Sequence, residues 1–302
     1  LLKEMSPGIV DDMNFRAIRG AAFFQTGAYS EAKNDLYHSS LDGDAEIALW
    51  RAALAAKEEN WVQATRGFDG SDNFLGRYPA SLQVPLGLLA AEAAYRVGGL
   101  DLAEARLRGL RVLDLRAADS GHVEYLEGRI RLARRDLDGA IILWDQVAAG
   151  AGRESSARAT FARTLLQRKQ GEIDLGEAIE QLEALRFAWR GGAFEFNLLH
   201  QLGRFYLDEK KYVRGLAALK QLITYFDGEE RKQKIVQEMT NVFTTLYLEG
   251  EADKMPLVKA LALYNSFREL TPVGNNGDRM IEKLTDRLVD ADLLGRAAKL
   301  LD

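Results

Sequence analysis

The chain has 302 residues, 47% of them apolar and 28% charged, enough to close a large core beneath a well-solvated surface. Its 45 acidic and 40 basic residues leave a net charge of −5, which argues against the basic footprint that general nucleic-acid binding needs. The absence of cysteine excludes disulfides, thiolate metal sites and thiol catalysis, and no apolar run reaches the roughly 18 residues of a membrane span. Compartment stays open between cytoplasm and periplasm. The chain begins at Leu1 rather than methionine and ends at Asp302 inside a helical pattern, so a piece of a longer chain is expected. Good helix formers dominate, and the five prolines (Pro7, Pro79, Pro85, Pro256 and Pro272) fall at expected helix edges.

In chain order, the first helix pair is marked by Gly20, Phe23, Gly27, Tyr29, Ala32 and Leu36, with small residues at 20 and 32, a spacing of 12. Asp42, Asp44 and Glu46 follow. They lack the glycine and distant glutamate of a calcium loop and suit a helix N-cap with first-turn acids. Ala52, Trp61, Ala64 and Phe68 repeat the frame. Between Asp69 and Pro85, two glycines and two prolines predict a long loop. Leu100–Ala105 reads LDLAEA after Gly99 and opens a second-helix pattern, with a longer turn expected before it; IDLGEA after Gly171 repeats this 73 residues later. Between these two units lie Gly128, Leu137, Ala140 and Trp144 in the same frame, then a small polar connection from Gly150 to Ser156 in which Ser155 or Ser156 is expected to cap a helix.

The clearest match is Leu202, Gly203, Tyr206, Tyr212, Gly215 and Leu219. Residues 229 to 269 fit the spacing poorly and predict two longer helices. Thr271–Asp278, TPVGNNGD, predicts a loop with Asp278 capping the next helix; Leu284, Leu288, Leu293, Leu294, Ala297 and Leu301 form a last pair.

Small residues a dozen positions apart let two antiparallel helices approach closely, and such a hairpin must stack on neighbours to bury its other face. With an aromatic three positions after the first small residue, as at Gly20/Phe23 and Gly203/Tyr206, the pattern resembles the tetratricopeptide repeat (TPR) and its looser relatives. The resemblance covers most of residues 14–225. It departs from the family in lacking a closing proline, in lacking the aromatic after Ala52, and in its uneven spacing between units. It implies an all-α, right-handed α-α superhelix: a TPR-like solenoid of about seven to eight stacked hairpins. One continuous array over 1–302 is expected, looser from about 229, with Trp50, Trp61, Trp144 and Trp189 filling gaps between hairpins.

Chemistry-bearing motifs are absent. His38, His122 and His200 form no HxxxH or HExxH pair, so neither a metal site nor a cofactor is expected. No phosphate loop and no GxSxG elbow occurs. The expected function is a non-catalytic protein–protein interaction scaffold, with a bacterial envelope or motility assembly as its setting. A helical accessory domain of a larger enzyme and a self-assembling solenoid are the alternatives.

In TPR-like arrays the first helix of each pair lines the binding groove. Counted from its small residue, the groove positions give Asn14, Phe24 and Gln25 in the first unit. They give His122, Tyr125, Arg129 and Leu132 around Gly128, and Asn197, His200, Arg204 and Asp208 around Gly203. Arg129 and Arg204 would pair with acidic side chains or a C-terminal carboxylate of a peptide.

Overall fold

The computed structural model describes residues 12–70, 72–226 and 228–301. Pro7 and the two chain ends lie outside the described residues. Among the described residues the chain is all helical: seventeen α-helices and three 3₁₀ turns, with no strand. They form two compact units, Leu1–Leu166 and Gln167–Asp302.

In the first unit the helices are α1 (Met13–Gln25), α2 (Tyr29–Leu36), α3 (Ala45–Lys57), α4 (Trp61–Asp69), the one-turn α5 (Asp72–Leu75), α6 (Ala80–Arg96), α7 (Leu100–Arg111), α8 (Ala117–Ala133), α9 (Leu137–Ala148) and α10 (Arg153–Gln170), whose last turn runs into the second unit. The second unit continues with α11 (Leu175–Ala188), α12 (Gly192–Asp208), α13 (Tyr212–Tyr225), α14 (Glu229–Leu248), α15 (Leu257–Ser266), α16 (Asn275–Asp290) and α17 (Leu294–Leu301). Six closely packed hairpins result: α1/α2, α3/α4, α6/α7, α8/α9, α12/α13 and α16/α17.

The frame of 12 is physically real. Its paired small residues are Gly20/Ala32, Ala52/Ala64, Gly128/Ala140 and Gly203/Gly215, all buried. A large side chain four positions further along the second helix lies over the first small residue: Leu36, Phe68, Trp144 and Leu219, each no more than 1% exposed. A methyl group built on Gly203 would stand 2.8 Å from Leu219 and 3.3 Å from the Gly215 carbonyl oxygen. The hairpin α6/α7 obeys the same rule with Ala91, Ala103 and Leu107, so the turn before Leu100 is of ordinary length rather than longer.

All six hairpins turn through three residues. The middle one is left-handed every time: Gly27, Glu59, Gly98, Arg135, Lys210 and Asp292, with φ from 57° to 83°. In each, the next N–H reaches back to a carbonyl five residues earlier, as in Lys211 N to Tyr206 O at 2.8 Å and Asn60 N to Ala55 O at 2.8 Å. This closes the first helix with a Schellman cap. Acids and amides open the helices as their short polar side chains dictate: Asp44 accepts from the N–H groups of Glu46 and Ile47, and Asp174 forms a reciprocal capping box with Glu177.

Several expectations are corrected. Pro85 lies inside α6. It sits on the exposed side, where the Ser81 carbonyl that loses its partner is open to water. Helix α10 begins at Arg153, so Ser155 and Ser156 lie in its first turn and donate back to Gly152 O (3.0 Å) and Ala148 O (2.7 Å) instead of capping. The loop after Thr271 ends at Gly274, whose φ of 87° begins α16, and Asp278 stands within the helix. Residues 229–269 give one long helix of 20 residues and one of only 10. Trp50 does bridge neighbouring hairpins, 5.6 Å from Phe24 and 6.0 Å from Tyr78. Trp144 instead packs within its own hairpin over Gly128.

Candidate functional site

Because a helix advances 100° per residue, positions −3, +1 and +4 or +5 from the small residue share a face turned away from the second helix. In the first unit this face carries one connected set of side chains from three successive first helices. Helix α6 contributes Glu92, Tyr95 and Arg96; α8 contributes His122, Tyr125 and Arg129; α10 contributes Glu154 and Arg158. Arg129 Nη1 donates to both Glu92 oxygens, at 2.8 and 2.7 Å, and Arg96 Nε donates to the same carboxylate at 2.6 Å. The Arg129 guanidinium lies 4.3 Å from the Tyr95 ring centre and 5.8 Å from that of Tyr125, within cation–π range of both. Burial pushes the Glu92 carboxyl up, but Arg129 and Arg96 outweigh it and hold the group below the ordinary value. Burial raises the Tyr125 hydroxyl, against the pull of Arg129 and Arg158.

One turn away, Arg158 donates through Nε and Nη2 to Glu154 at 2.9 and 2.7 Å. His122 Nε2 stands 3.7 Å from Glu154, while its Nδ1 is 2.9 Å from the Ala118 carbonyl oxygen. His122 and Arg158 together hold Glu154 down at about 2 although burial opposes them.

The second unit repeats the theme more sparsely. His200 Nε2 lies 2.7 Å from Glu238, and Arg204 Nε approaches the same carboxylate only to 3.9 Å with 59% of its side chain exposed. Asn197 and Asp208 are exposed on the same helix. Phe196 packs edge-on against Phe226 at 5.6 Å.

The structure therefore gathers His122, Tyr125 and Arg129, and separately His200 and Arg204. Asn14 is exposed on α1, and no contact joins it to His122, Tyr125 or Arg129. Phe24 is corrected: it is only 9% exposed, packed against Trp50 and Tyr29, and belongs to the core. Arg129 is not an open cation, because Glu92 already holds it. Sequence reasoning missed Glu92, Tyr95, Arg96, Glu154, Arg158 and Glu238. The Ala91–Ala103 spacing of 12 was the signal for the first three, placing Glu92 at +1 beside Arg129 at +1; the alanine-rich run around it hides that frame. Among the described residues no group of three or more His, Asp or Glu is placed to hold a metal.

No family model and no curated protein sequence matches the chain. Solved structures are similar to the chain. The human IFIT1 dimer with PPP-AAAA is 15% identical, with a TM-score of 0.53 over 96% of this chain and 69% of that one. Pseudomonas aeruginosa PilF is also 15% identical, at a TM-score of 0.46 over 76% of this chain and 99% of that chain. The TPR domain of P58(IPK) is 15% identical, at 0.32 over 96% and 82%. With its stacked hairpins, 12-residue frame and Schellman turns, the chain is a TPR-like helical-repeat protein with an all-α solenoid fold.

Proposed function

We propose that this chain is a non-catalytic scaffold that holds a protein or peptide partner on the exposed faces of its first helices. The observation that carries the reading is the ladder Arg96–Glu92–Arg129 with Tyr95 and Tyr125. Rigid aromatic surface and oriented charge stand together there, with about a fifth of the Arg129 and Glu92 side chains still exposed. In the second unit Arg204 is the cation open to an acidic side chain or a C-terminal carboxylate, flanked by Asn197, His200 and Asp208. One array over residues 1–302 is part of this reading, as is a place in a larger bacterial assembly, for which only the Ala/Arg/Leu-rich composition speaks.

The test is affinity purification with the whole chain as bait, followed by mass spectrometry, comparing wild type with Arg129→Glu/Glu92→Arg and with Arg204→Glu. The exchange keeps an arginine–glutamate contact with its direction reversed but gives up the Arg96 bond to residue 92, so loss of the same partner in both variants is the expected result. Full recovery in both would refute the scaffold face. The acidic balance of the chain also predicts no binding of a triphosphate-capped oligonucleotide near 0.15 M salt. Among the described residues no helix is long and apolar enough to cross a membrane.

A further inference from the structure

The last described hairpin departs from the others in both charge and cover. Its left-handed turn residue is Asp292, so the repeat frame puts Thr285 at the small-residue position, Ala297 twelve residues on and Leu301 at the large position. In the other five hairpins the large residue is fully buried, whereas Leu301 is 65% exposed. Leu294 is also exposed, with Ala298 between them on one stripe of α17.

On α16 the positions that carry Tyr125 and Arg129, or His200, Arg204 and Asp208, elsewhere carry Glu282, Asp286 and Asp290, and Asp278 extends the row one turn back. All four acids are exposed. The cations on the far side of α16 are turned away: Lys283 donates to Leu248 O at 3.1 Å, and Arg287 donates to Ala252 O and Met255 O at 2.8 and 2.7 Å. Arg279 is the remaining α16 cation beside the acidic row, and Arg296 and Lys299 are exposed on α17. Val289, on the same stripe, is exposed.

Between the acids and Leu301 runs an open cleft of about 430 Å³ lined by Asp278, Ile281, Glu282, Thr285, Asp286 and Leu301. Thr285, only 9% exposed, is among the residues lining this cleft, and its hydroxyl oxygen is buried without a hydrogen-bond partner. A buried hydroxyl with no partner is costly, so the packing of this hairpin is not fully satisfied.

We propose that the α16/α17 cleft docks a basic amphipathic helix of a partner protein. The apolar stripe of that helix would cover Ile281, Val289, Leu294 and Leu301. Lysines or arginines on one flank would meet Asp278, Glu282, Asp286 and Asp290. Charge complementarity selects this occupant: four acids against Arg279 on α16 repel an acidic helix and attract a basic one. This surface uses the same positions as the Arg129 and Arg204 faces but opposite charge on different residues, so its failure would leave the reading of those faces untouched.

The experiment uses the 302-residue chain and a fluorescein-labelled idealised Leu/Lys amphipathic helix of about 18 residues, read by anisotropy. Two controls accompany it, a Leu/Glu helix of the same pattern and a scrambled Leu/Lys peptide of the same composition. The Leu/Lys helix is expected to bind at least about tenfold more tightly than either control. The variant Glu282→Lys/Asp286→Lys, changed only at exposed positions, should reverse the preference between the Lys and Glu helices, and Leu294→Asp should weaken binding of both. Equal binding of the scrambled peptide, or an unchanged preference in the charge-reversed variant, would overturn the proposal. So would sedimentation showing that the chain dimerises and that Leu294→Asp makes it monomeric, which would assign the cleft to a second copy.

Discussion

At Glu154 two neighbours of different kinds act on one carboxylate. His122 Nδ1 faces the Ala118 carbonyl oxygen, so that nitrogen carries the proton, and Nε2 can donate to Glu154 only when the ring is cationic. Arg158 is charged throughout. The carboxyl titrates at about 2 in the folded chain against an ordinary 4.5, so its contribution to stability is complete above about 4.5 and drains away as the pH falls toward 2. His122→Ala should move the Glu154 carboxyl resonance midpoint upward in an NMR titration, while Arg158 keeps it below 4.5. An unmoved midpoint would mean that Arg158 alone sets the value. The variant should also lose less stability than wild type over the same acid window, because it has less of that linkage to lose.

At the scale of the helix pair, the six turns ask for the same backbone and supply it with different residues. Gly27 and Gly98 adopt a left-handed φ without strain, whereas Glu59, Arg135, Lys210 and Asp292 hold it with a Cβ. A left-handed L-residue costs roughly 1–2 kcal/mol, part of which glycine gives back through its freer unfolded chain. Lys210→Gly is therefore expected to raise stability by about 0.5–1 kcal/mol in thermal or urea unfolding. A loss would show that the Lys210 ammonium, 2.8 Å from Glu251, matters more than its backbone. Opposite logic holds for Gly203. Alanine there gains about 1 kcal/mol of helix propensity but must displace Leu219 and press on the Gly215 carbonyl, an overpacking cost of about 1–3 kcal/mol, so net destabilisation is expected.

These pairs also show what the sequence can and cannot reveal. Small residues stand out where the rest of the helix is large, so Gly20, Gly128 and Gly203 announced their hairpins. Ala91 did not, because it sits in a run of alanines where every register looks alike. The face residues were partly legible for the same reason: once Gly128 is fixed, helical geometry places His122, Tyr125 and Arg129. Their partners come from helices far along the chain, 37 residues apart for Glu92 and Arg129 and 38 for His200 and Glu238, and no local pattern pairs them.

The first unit is built by neighbour contact, as its separate core clusters show. One cluster runs through α1, α2, α3, α4 and α6, and another joins Trp144 and Val147 to Ala159 and Leu166. In such an array the stability of a hairpin depends on its own packing and on the hairpins flanking it, so damage should stay local. Trp144 offers the sharpest probe, being 1% exposed, packed over Gly128, with its indole N–H donating to the Tyr125 carbonyl oxygen at 3.2 Å. Trp144→Ala should cost about 3–5 kcal/mol within its hairpin. Native-state hydrogen exchange should then lose protection in α8, α9 and their immediate neighbours, while α1 and α2 keep theirs. If protection falls equally through the whole first unit, the unit folds as one cooperative body. The Arg129 ladder, which depends on α6, α8 and α10 holding their register, would then be as stable as that unit as a whole.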